Sequence, residues 1–240
     1  MKVSHEVPIP YLNKSREFND YCYCLPHLLD ESEEYKDYFQ KSKEMGRYII
    51  MDNSLHELGQ PYDSKRLWYW MNYFKPNEFI VVVQADCKSD AFECYQILKM
   101  QGYQKIAFSY GADWYYKEGL KSTPDPNNKF VTKAHGRYNT IKDFYQKRLI
   151  DKGDRVHLLG CNIPQEFSWY YDLPFIESID TSNPVIHGLA GVKYEEYGLE
   201  DKLPHKVDKF EGNSENWDLV LYNVKKFKEF IPQKNKEYAN

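Results

Sequence analysis

The sequence predicts an α/β fold, namely a (β/α)8 TIM-like barrel formed as one compact domain over residues 1–240. A chain of 240 residues suits one such barrel. Short apolar runs alternate with helical intervals, and residues 155–188 contain a complete strand, helix and strand. Polar residues follow these runs, as Asp180 does in that segment. Because parallel strands of a barrel end at one face, where such enzymes carry their chemistry, Asp180 is the first candidate functional residue.

The predicted strands are short apolar or alternating runs. Residues 79–83 form the clearest one, because they are β-branched and continuous, as buried parallel strands are. Residues 3–12 contain two prolines and are interpreted as an irregular lead-in or edge strand. The predicted strand ends fall at residues 26–27, 52, 86, 109–111, 134–137, 160, 180 and 187–188. They amount to about eight β/α steps, the number that a barrel requires.

Helices are predicted between the strands at residues 30–45, 65–74, 90–101, 140–150 and 164–171. Residues 112–128 interrupt this pattern, and the stretch 121–128 is rich in turn-forming residues, which indicates a surface loop. Residues 195–240 are predicted to be a C-terminal segment that closes the domain. Its last helix, at 217–231, has an apolar side formed by Trp217, Leu221, Val224, Phe227 and Phe230.

Composition limits the possible classes of protein. The formal net charge of −4 does not indicate a surface that binds nucleic acid as a whole, so any such contact requires a local basic patch. The five cysteines lack the paired spacing of a metal site, and no apolar leader or membrane-spanning run is present. These features predict a cytoplasmic protein with reduced thiols.

Three of the predicted strand ends carry an aspartate: Asp52, Asp86 and Asp180. Aspartate also favours turns, so a single example needs no functional explanation. Three aspartates that follow strongly apolar runs favour a functional role for at least one of them, since polar residues at the top of a barrel carry function. Metal binding, phosphate handling and acid/base chemistry all fit this pattern.

The same strand ends resemble the ordered motifs of the tRNA-guanine transglycosylase superfamily. The resemblance extends over residues 47–191, and its most specific parts are the HLLG and IDTS segments. The chain is similar in particular to the phage DNA-guanine transglycosylases of the DpdA type, which install 7-deazaguanine bases in DNA. The matching motifs are Asp52-Asn53-Ser54, Asp86, Ser109-Tyr110-Gly111, His157-Leu158-Leu159-Gly160 with Pro164-Gln165-Glu166, and Ser178-Ile179-Asp180-Thr181-Ser182.

The resemblance implies a pentosyltransferase without a cofactor. Asp180 matches the family nucleophile, which attacks the anomeric carbon and releases guanine, and Asp52 matches the general acid/base. Asp86 matches the residue that recognises the amino and ring N–H edge of the base. The base-binding residues implied are Asp86, Ser109, Gly111, Gly160 and Asn53. Where this chain has Ser109-Tyr110-Gly111, the family commonly carries Gln-Gly, and the Gln is missing here.

The resemblance also implies the partners: duplex DNA with a flipped guanine, and a 7-deazaguanine base such as preQ0 or a derivative. A phage-encoded protein of this kind would act in the host cytoplasm. The family's structural zinc site is not expected, because no cysteine follows Cys161. We expect no membrane association. The residues predicted to contact DNA are Lys129, Lys133, Arg137, Tyr110 and Trp114.

Two other functions remain open from the sequence. One is a metal-dependent hydrolase that uses Asp52, Asp86 and Asp180 together with His27 or His157, although a histidine inside a strand more often packs than ligates. The other is a non-catalytic barrel that binds nucleic acid by stacking aromatic side chains on bases. Dependence on a divalent metal would favour the first, and binding without covalent trapping would favour the second.

Overall fold

The computed structural model describes residues 1–204, 207, 210 and 213–232, and the structural statements below concern these residues. Parallel strands alternate with helices along this part of the chain, which confirms the predicted α/β class. The strands are β1 (Lys2–His5), β2 (Cys22–Cys24), β3 (Ile49–Met51), β4 (Glu78–Phe79), β5 (Val81–Val82), β6 (Lys105–Ser109), β7 (Arg155–Leu159) and β8 (Ile176–Thr181).

The helices lie mainly between successive strands. In the part of the chain that the structure describes, 3₁₀ helices are also present at Ile9–Tyr11, Pro164–Asp172 and Ser214–Asn216. The α-helices are α1 (Leu12–Ser15), α2 (Pro26–Glu31), α3 (Glu33–Glu44), α4 (Leu55–Leu58), α5 (Ser64–Phe74), α6 (Lys88–Met100), α7 (Trp114–Gly119), α8 (Lys129–Gln146), α9 (Asn183–Leu189) and α10 (Trp217–Glu229).

The strands form two parallel sheets, one with the order β1-β8-β7-β6-β5 and one with the order β2-β3-β4. A single extended run joins the sheets, since β4 and β5 flank Ile80. The Ile80 N–H donates to the Met51 carbonyl at 3.1 Å, and the Val83 N–H donates to the Ala107 carbonyl at 2.9 Å. At the opposite edges β1 and β2 lie side by side, and the Asp20 N–H donates to the Val3 carbonyl at 2.9 Å. The strand order therefore continues from β2 through both sheets to β1.

The two strands predicted to end at residues 134–137 and 187–188 are wrong, since both places lie in helices. Residues 129–134 form the start of α8, because the Asn128 side chain accepts hydrogen bonds from the Phe130 and Val131 N–H groups and caps a helix there. Residues 185–192 lie largely in α9, which has Pro184 in its first turn. Positions 134–137 and 187–188 are therefore not strand ends. With β4 and β5 counted as one run, the described strands form seven extended runs, one fewer than predicted.

The N-terminus is more regular than predicted. Residues 2–5 form β1, which pairs with β8 so that Ser4 lies opposite Asp180. Pairing continues past β1, because the Glu6 N–H donates to the Thr181 carbonyl at 3.0 Å. This pairing brings the first residues of the chain beside the last strand, where the candidate nucleophile lies.

The predicted C-terminal helix is confirmed as α10, which packs on α9. Gly188 allows this close contact, since a Cβ there would lie 2.6 Å from the Val220 Cα. The remainder of the predicted closing segment at 205–206, 208–209, 211–212 and 233–240 lies outside the described residues. Within the described ranges, no helix has the length and apolar character that crossing a bilayer would require.

Candidate active site

A cavity of about 320 Å³ lies at the carboxyl ends of the strands. Its size is at the lower end of the range for small-molecule sites. It is lined by the strand-end residues Asp52, Asn53, Ser109, Tyr110, Gly111, Gly160 and Asp180, and also by Glu6, Tyr23, Glu57, Cys161 and Lys202. Six of the seven candidates for catalysis and base binding thus share one cavity with Tyr110, as expected from the way parallel strands end at one edge.

Asp180 lies near the end of β8 and is buried. Its Oδ1 atom is 2.8 Å from the Nε2 atom of His157, which lies on the adjacent strand β7. Burial, together with the nearby Asp52 carboxyl, raises the pKa of Asp180 to about 7. A carboxyl in this environment exists in both its protonated and ionised forms near neutral pH.

Asp52 follows β3 directly, and its own N–H donates to the Cys24 carbonyl at 2.9 Å. One carboxylate oxygen, Oδ2, accepts from the Ser54 N–H at 3.1 Å. The other, Oδ1, is buried and makes no hydrogen bond with the described residues. Burial raises the pKa of Asp52, and the N–H groups of Asn53 and Ser54 oppose this effect. Oδ1 is therefore a buried polar atom in a cavity wall, and the Tyr23 hydroxyl beside the carboxyl also opposes the rise in the Asp52 pKa.

Two glutamates add to the carboxyl cluster. Burial raises the pKa of Glu6 well above its usual range, and the Asp180 carboxyl beside it raises that pKa further. Burial raises the pKa of Glu57 to about 8, with contributions from Glu6 and Asp52. Like charges close together in a buried site cannot all ionise, so this cluster retains protons at neutral pH. A protonated carboxyl can donate a hydrogen bond or a proton, which a carboxylate cannot.

One wall of the cavity depends on Gly160. Its φ of +59° is a left-handed conformation that favours glycine, and a Cβ there would lie 2.4 Å from two carbons of the Tyr110 ring. On the ring, the Lys202 Nζ lies 3.3 Å from the centroid, within cation–π range. Burial lowers the pKa of Lys202 to about 8. Among the described residues that line the cavity, Lys202 is the only lysine or arginine.

The other predicted base-binding residues lie in short turns. Ser109 Oγ accepts from the Gly111 N–H at 3.1 Å, and Asn53 Oδ1 accepts from the Leu55 N–H at 3.1 Å. These residues line the cavity. Asp86 does not: it is exposed, in a bend just before α6, whereas Gln84 and Ala85 form part of the lining. Four residues beyond β5 the chain has already turned away from the strand ends.

The prediction that Arg137 contacts DNA at the surface is wrong, because its side chain is fully buried. Its Nε donates to Glu166 Oε1 at 2.7 Å, and its Nη1 and Nη2 atoms donate to the carbonyls of Leu159 and Gly160 at 2.9 and 3.0 Å. The cause is the helix α8, which directs this side chain inward where a strand was expected. Arg137 therefore supports the end of β7 from within the core.

The other predicted DNA contacts differ in exposure. Lys129 is exposed on the first turn of α8. Lys133 is partly buried, and its Nζ donates to the Gly111 carbonyl at 2.9 Å and to the Asp113 carboxylate at 2.8 Å. Trp114 is buried in α7, so its ring is not on the surface for stacking. Tyr110 belongs to the cavity wall.

The metal-site hypothesis requires several ligands to converge. Within the part of the chain that the structure describes, no group of three or more His, Cys, Asp or Glu side chains is arranged to hold a metal ion. His27 instead lies beside Ser54, with Nδ1 2.8 Å from Oγ. Asp86 lies outside the cavity that contains Asp52 and Asp180, so the three predicted aspartates do not assemble into one set.

Sequence reasoning missed Glu6, Glu57, Lys202 and the contact of His157 with Asp180. Glu6 was not identified because residues 3–12 contain two prolines and were interpreted as an irregular lead-in or edge strand. The position of Glu57 could have indicated a place near the site, since it lies only five residues after Asp52, on the short helix α4. No family model matches the chain, and comparison with curated protein sequences finds no match either. The class of the protein is therefore described from its fold and cavity alone: it is a parallel α/β protein with a carboxyl-rich cavity at its strand ends.

Proposed function

We propose that this protein is a pentosyltransferase that replaces guanine in DNA with a 7-deazaguanine derivative through a covalent intermediate on Asp180. The observation that carries the proposal is that Asp180 and Asp52 share one buried cavity from separate strands, each with a raised pKa. Two carboxyl groups in such an environment suit glycosyl transfer, in which one forms the bond and the other moves the proton.

In the first half-reaction, an ionised Asp180 oxygen attacks C1′ of the target nucleotide. The C1′–O bond forms, the C1′–N9 bond breaks, and its electron pair leaves with the base. Protonated Asp52 gives its proton to the departing purine, so guanine leaves as a neutral molecule. The two groups need opposite protonation states in this step, and two carboxyls close together in a buried site do not readily ionise at the same time.

The second half-reaction reverses these steps with the new base. Asp52, now ionised, takes the N9 proton of the 7-deazaguanine. N9 attacks C1′, the bond from C1′ to the Asp180 oxygen breaks, and Asp180 leaves as a carboxylate. Both side chains return to their starting states, so the exchange needs no redox or energy input.

The base would be held by groups that line the cavity. Asn53, Ser109 and Gly111 supply amide, hydroxyl and backbone groups for its edges. Glu57, whose raised pKa of about 8 keeps it protonated at neutral pH, can donate to the purine carbonyl that the family's missing Gln would otherwise contact. Gly160 allows the sugar or base to approach the backbone closely.

The DNA must deliver a single nucleotide into this cavity. Extruding a guanine costs about a few kcal/mol in stacking and pairing, which contacts to the flipped base and the flanking phosphates offset. Lys129 is exposed on α8, and Lys133 on the same helix reaches the Gly111 carbonyl at the cavity wall. We assign these two lysines to the phosphate backbone. Arg137 takes no part in this surface.

We also propose that the two sheets close into a barrel around the buried side chains between them. Support comes from the extended run 78–83, which pairs with β3 on one side and with β6 on the other. The adjacency of β1 and β2 brings the remaining edges together. A closed ring of strands would explain why residues from β1, β3, β6, β7 and β8 reach a single cavity.

The test is release of labelled guanine from duplex DNA when the full-length protein is incubated with 7-deazaguanines, including preQ0. Asp180→Asn should lose exchange by several orders of magnitude, because an amide cannot form the glycosyl intermediate. Asp52→Asn should slow the chemical step by about 10²- to 10⁴-fold. The matched control is Asp86→Asn, since Asp86 is an exposed strand-end aspartate outside the cavity.

Robust exchange by Asp180→Asn would contradict the assignment of the nucleophile. Loss of activity in EDTA would support a metal-dependent hydrolase, and DNA binding without label release or covalent trapping would support a non-catalytic binding protein. Faster exchange on tRNA than on DNA at the same salt concentration would show that tRNA, and not DNA, is the polymer substrate.

A further inference from the structure

A row of buried polar side chains crosses the interior from β6 to the candidate nucleophile. Lys105 Nζ lies 3.2 Å from Ser178 Oγ, Ser178 Oγ lies 2.8 Å from His157 Nδ1, and His157 Nε2 lies 2.8 Å from Asp180 Oδ1. All four residues are buried. Each of these contacts is within hydrogen-bonding distance, so the row is continuous.

The chemistry of the groups fixes the direction of each hydrogen bond. A lysine ammonium only donates, so Ser178 Oγ accepts from Lys105. Lys105 is held in place by Glu78 at 2.5 Å and Glu177 at 2.9 Å, which are acceptors. The single hydroxyl proton of Ser178 is then free to go to His157 Nδ1. In a neutral imidazole this leaves the proton on Nε2, where it is donated to Asp180 Oδ1.

The surroundings favour a neutral imidazole. Burial lowers the pKa of His157 to about 3, and the Lys105 ammonium lowers it in the same direction. The Tyr23 ring lies parallel to the imidazole, with the ring centroids 5.8 Å apart, and covers one face. His157 therefore offers Asp180 a fixed N–H dipole rather than a mobile charge.

We propose that His157 is a positioning residue for Asp180, held as the Nε2–H tautomer by Lys105 and Ser178 so that it stabilises the ionised carboxylate and fixes one of its oxygens. This inference rests on the proposed function for its kinetic consequence, in that it names one group that favours the ionised form of the nucleophile. His157 itself does not touch the substrate. Its role resembles that of the group that orients a catalytic base in a triad, with the roles of acid and imidazole exchanged.

Several other groups act on the protonation of Asp180, so the effect of His157 must be separated from theirs. Asp52 disfavours its ionisation, whereas hydrogen bonds from the Glu6 side chain and the Gly160 backbone favour it. Lys202 is the cation on the cavity side. The titratable or charged groups around Asp180 are Glu6, Tyr21, Tyr23, Asp52, Glu57, Tyr110, His157 and Lys202. Variants of His157 and Ser178 leave the others in place.

The first test needs no activity. In full-length protein with ¹⁵N-labelled histidine, long-range ¹H–¹⁵N spectra report which ring nitrogen carries the proton, and His157→Gln assigns the signal. The expected result is a neutral Nε2–H ring from about pH 5 to about pH 8. Ser178→Ala should weaken the tautomer preference, whereas Ser42→Ala, which alters a buried serine remote from the row, should not. An Nδ1–H ring, or a His157 that protonates near pH 6.5, would overturn the proposal.

The second test measures Asp180 itself. With ¹³C-labelled aspartate carboxyls, and Asp180→Asn to assign the signal, His157→Leu should raise the apparent pKa of Asp180 by about one to two units, since one hydrogen bond to a charged group is lost. His157→Gln, which keeps an N–H donor, should restore most of the difference. An unchanged titration in His157→Leu, with folding verified by circular dichroism, would also overturn the proposal.

Label release then connects the two. In His157→Leu the acid limb of the exchange rate should move to higher pH by the same amount, whereas a purely structural defect would lower the rate equally at every pH. If the wild-type protein released no label while both spectra behaved as expected, the proposed function would fail and the positioning of Asp180 would stand. If exchange occurred with the other tautomer, the reverse would hold.

Discussion

Replacing Asp180 with asparagine is expected to stabilise the folded protein at neutral and alkaline pH. Asn has nearly the same shape, and its carbonyl oxygen can still accept from His157. What it removes is a buried carboxyl whose pKa is raised from the ordinary 3.8 to about 7. Ionising such a group in the folded state costs about 4 kcal/mol relative to the unfolded chain, at about 1.4 kcal/mol for each tenfold change in proton affinity.

The sign follows from proton linkage. Because the folded carboxyl binds its proton more tightly than the unfolded one, the contribution of Asp180 to stability is fully present below about pH 4 and is lost as the pH rises through about 7. About 3 kcal/mol of this loss falls between about pH 5 and about pH 8.5. For a chain of this length, that corresponds to a difference of about 6–12 °C in Tm.

The assay is urea denaturation of the wild type, Asp180→Asn and Asp86→Asn across this pH range, followed by circular dichroism. The stability of Asp180→Asn relative to the wild type should rise with pH, and the exposed Asp86→Asn control should not show this trend. A stability difference that does not change with pH would refute the reasoning, because it would mean that Asp180 titrates in the fold as it does in the unfolded chain. A gain in stability combined with a loss of exchange is the trade-off expected of a functional site.

Two further predictions concern the support of the cavity. Glu166→Gln leaves the fully buried Arg137 guanidinium without a charged partner, so the free energy of unfolding measured in urea should fall by about 3–5 kcal/mol. The exposed control Glu196→Gln should change it little. A loss below about 1 kcal/mol in Glu166→Gln would contradict the importance of the buried ion pair. Gly160→Ala places a Cβ on a left-handed backbone and against the Tyr110 ring, so the rate of label release should fall. The control is Gly102→Ala, where φ is +84° and nothing lies within 4 Å of the new Cβ, and its rate should fall less. Equal exchange rates in the two variants would mean that the close contact of Gly160 with Tyr110 is not needed for exchange.

The α/β class and several site positions could be predicted from the sequence because they depend on local signals. Runs such as residues 49–51 and 105–109 are apolar enough to be buried, and Asp52 and Ser109 follow from where those runs stop. The strand at 2–5 was harder, because its pairing with β8 joins residues more than 170 positions apart. For the same reason Glu6 was missed, although it lines the cavity with Asp180.

The errors at α8 and Asp86 have a different physical origin. In α8, β-branched residues such as Val131 and Thr132 favoured a strand, but the Asn128 cap and burial against neighbouring helices decided for a helix. That change moved Arg137 from the expected surface into the core. The prediction for Asp86 failed because a strand sets the direction of the chain for only a residue or two beyond its end, and here the chain turns before α6.

The sequence by itself determined the alternation of strands and helices, and the positions of Asp52 and Asp180 at strand ends, since burial periodicity and turn chemistry are written in neighbouring residues. Only the tertiary structure decided which polar groups meet. His157 is an apparent packing residue within an apolar run, yet the register of β7 and β8 places its imidazole against Asp180. The raised pKa of Asp180 likewise depends on burial and on Asp52, which is more than 120 residues away in the chain. Electrostatic coupling depends on distance in space and on the exclusion of water, and neither is encoded in any local stretch of sequence.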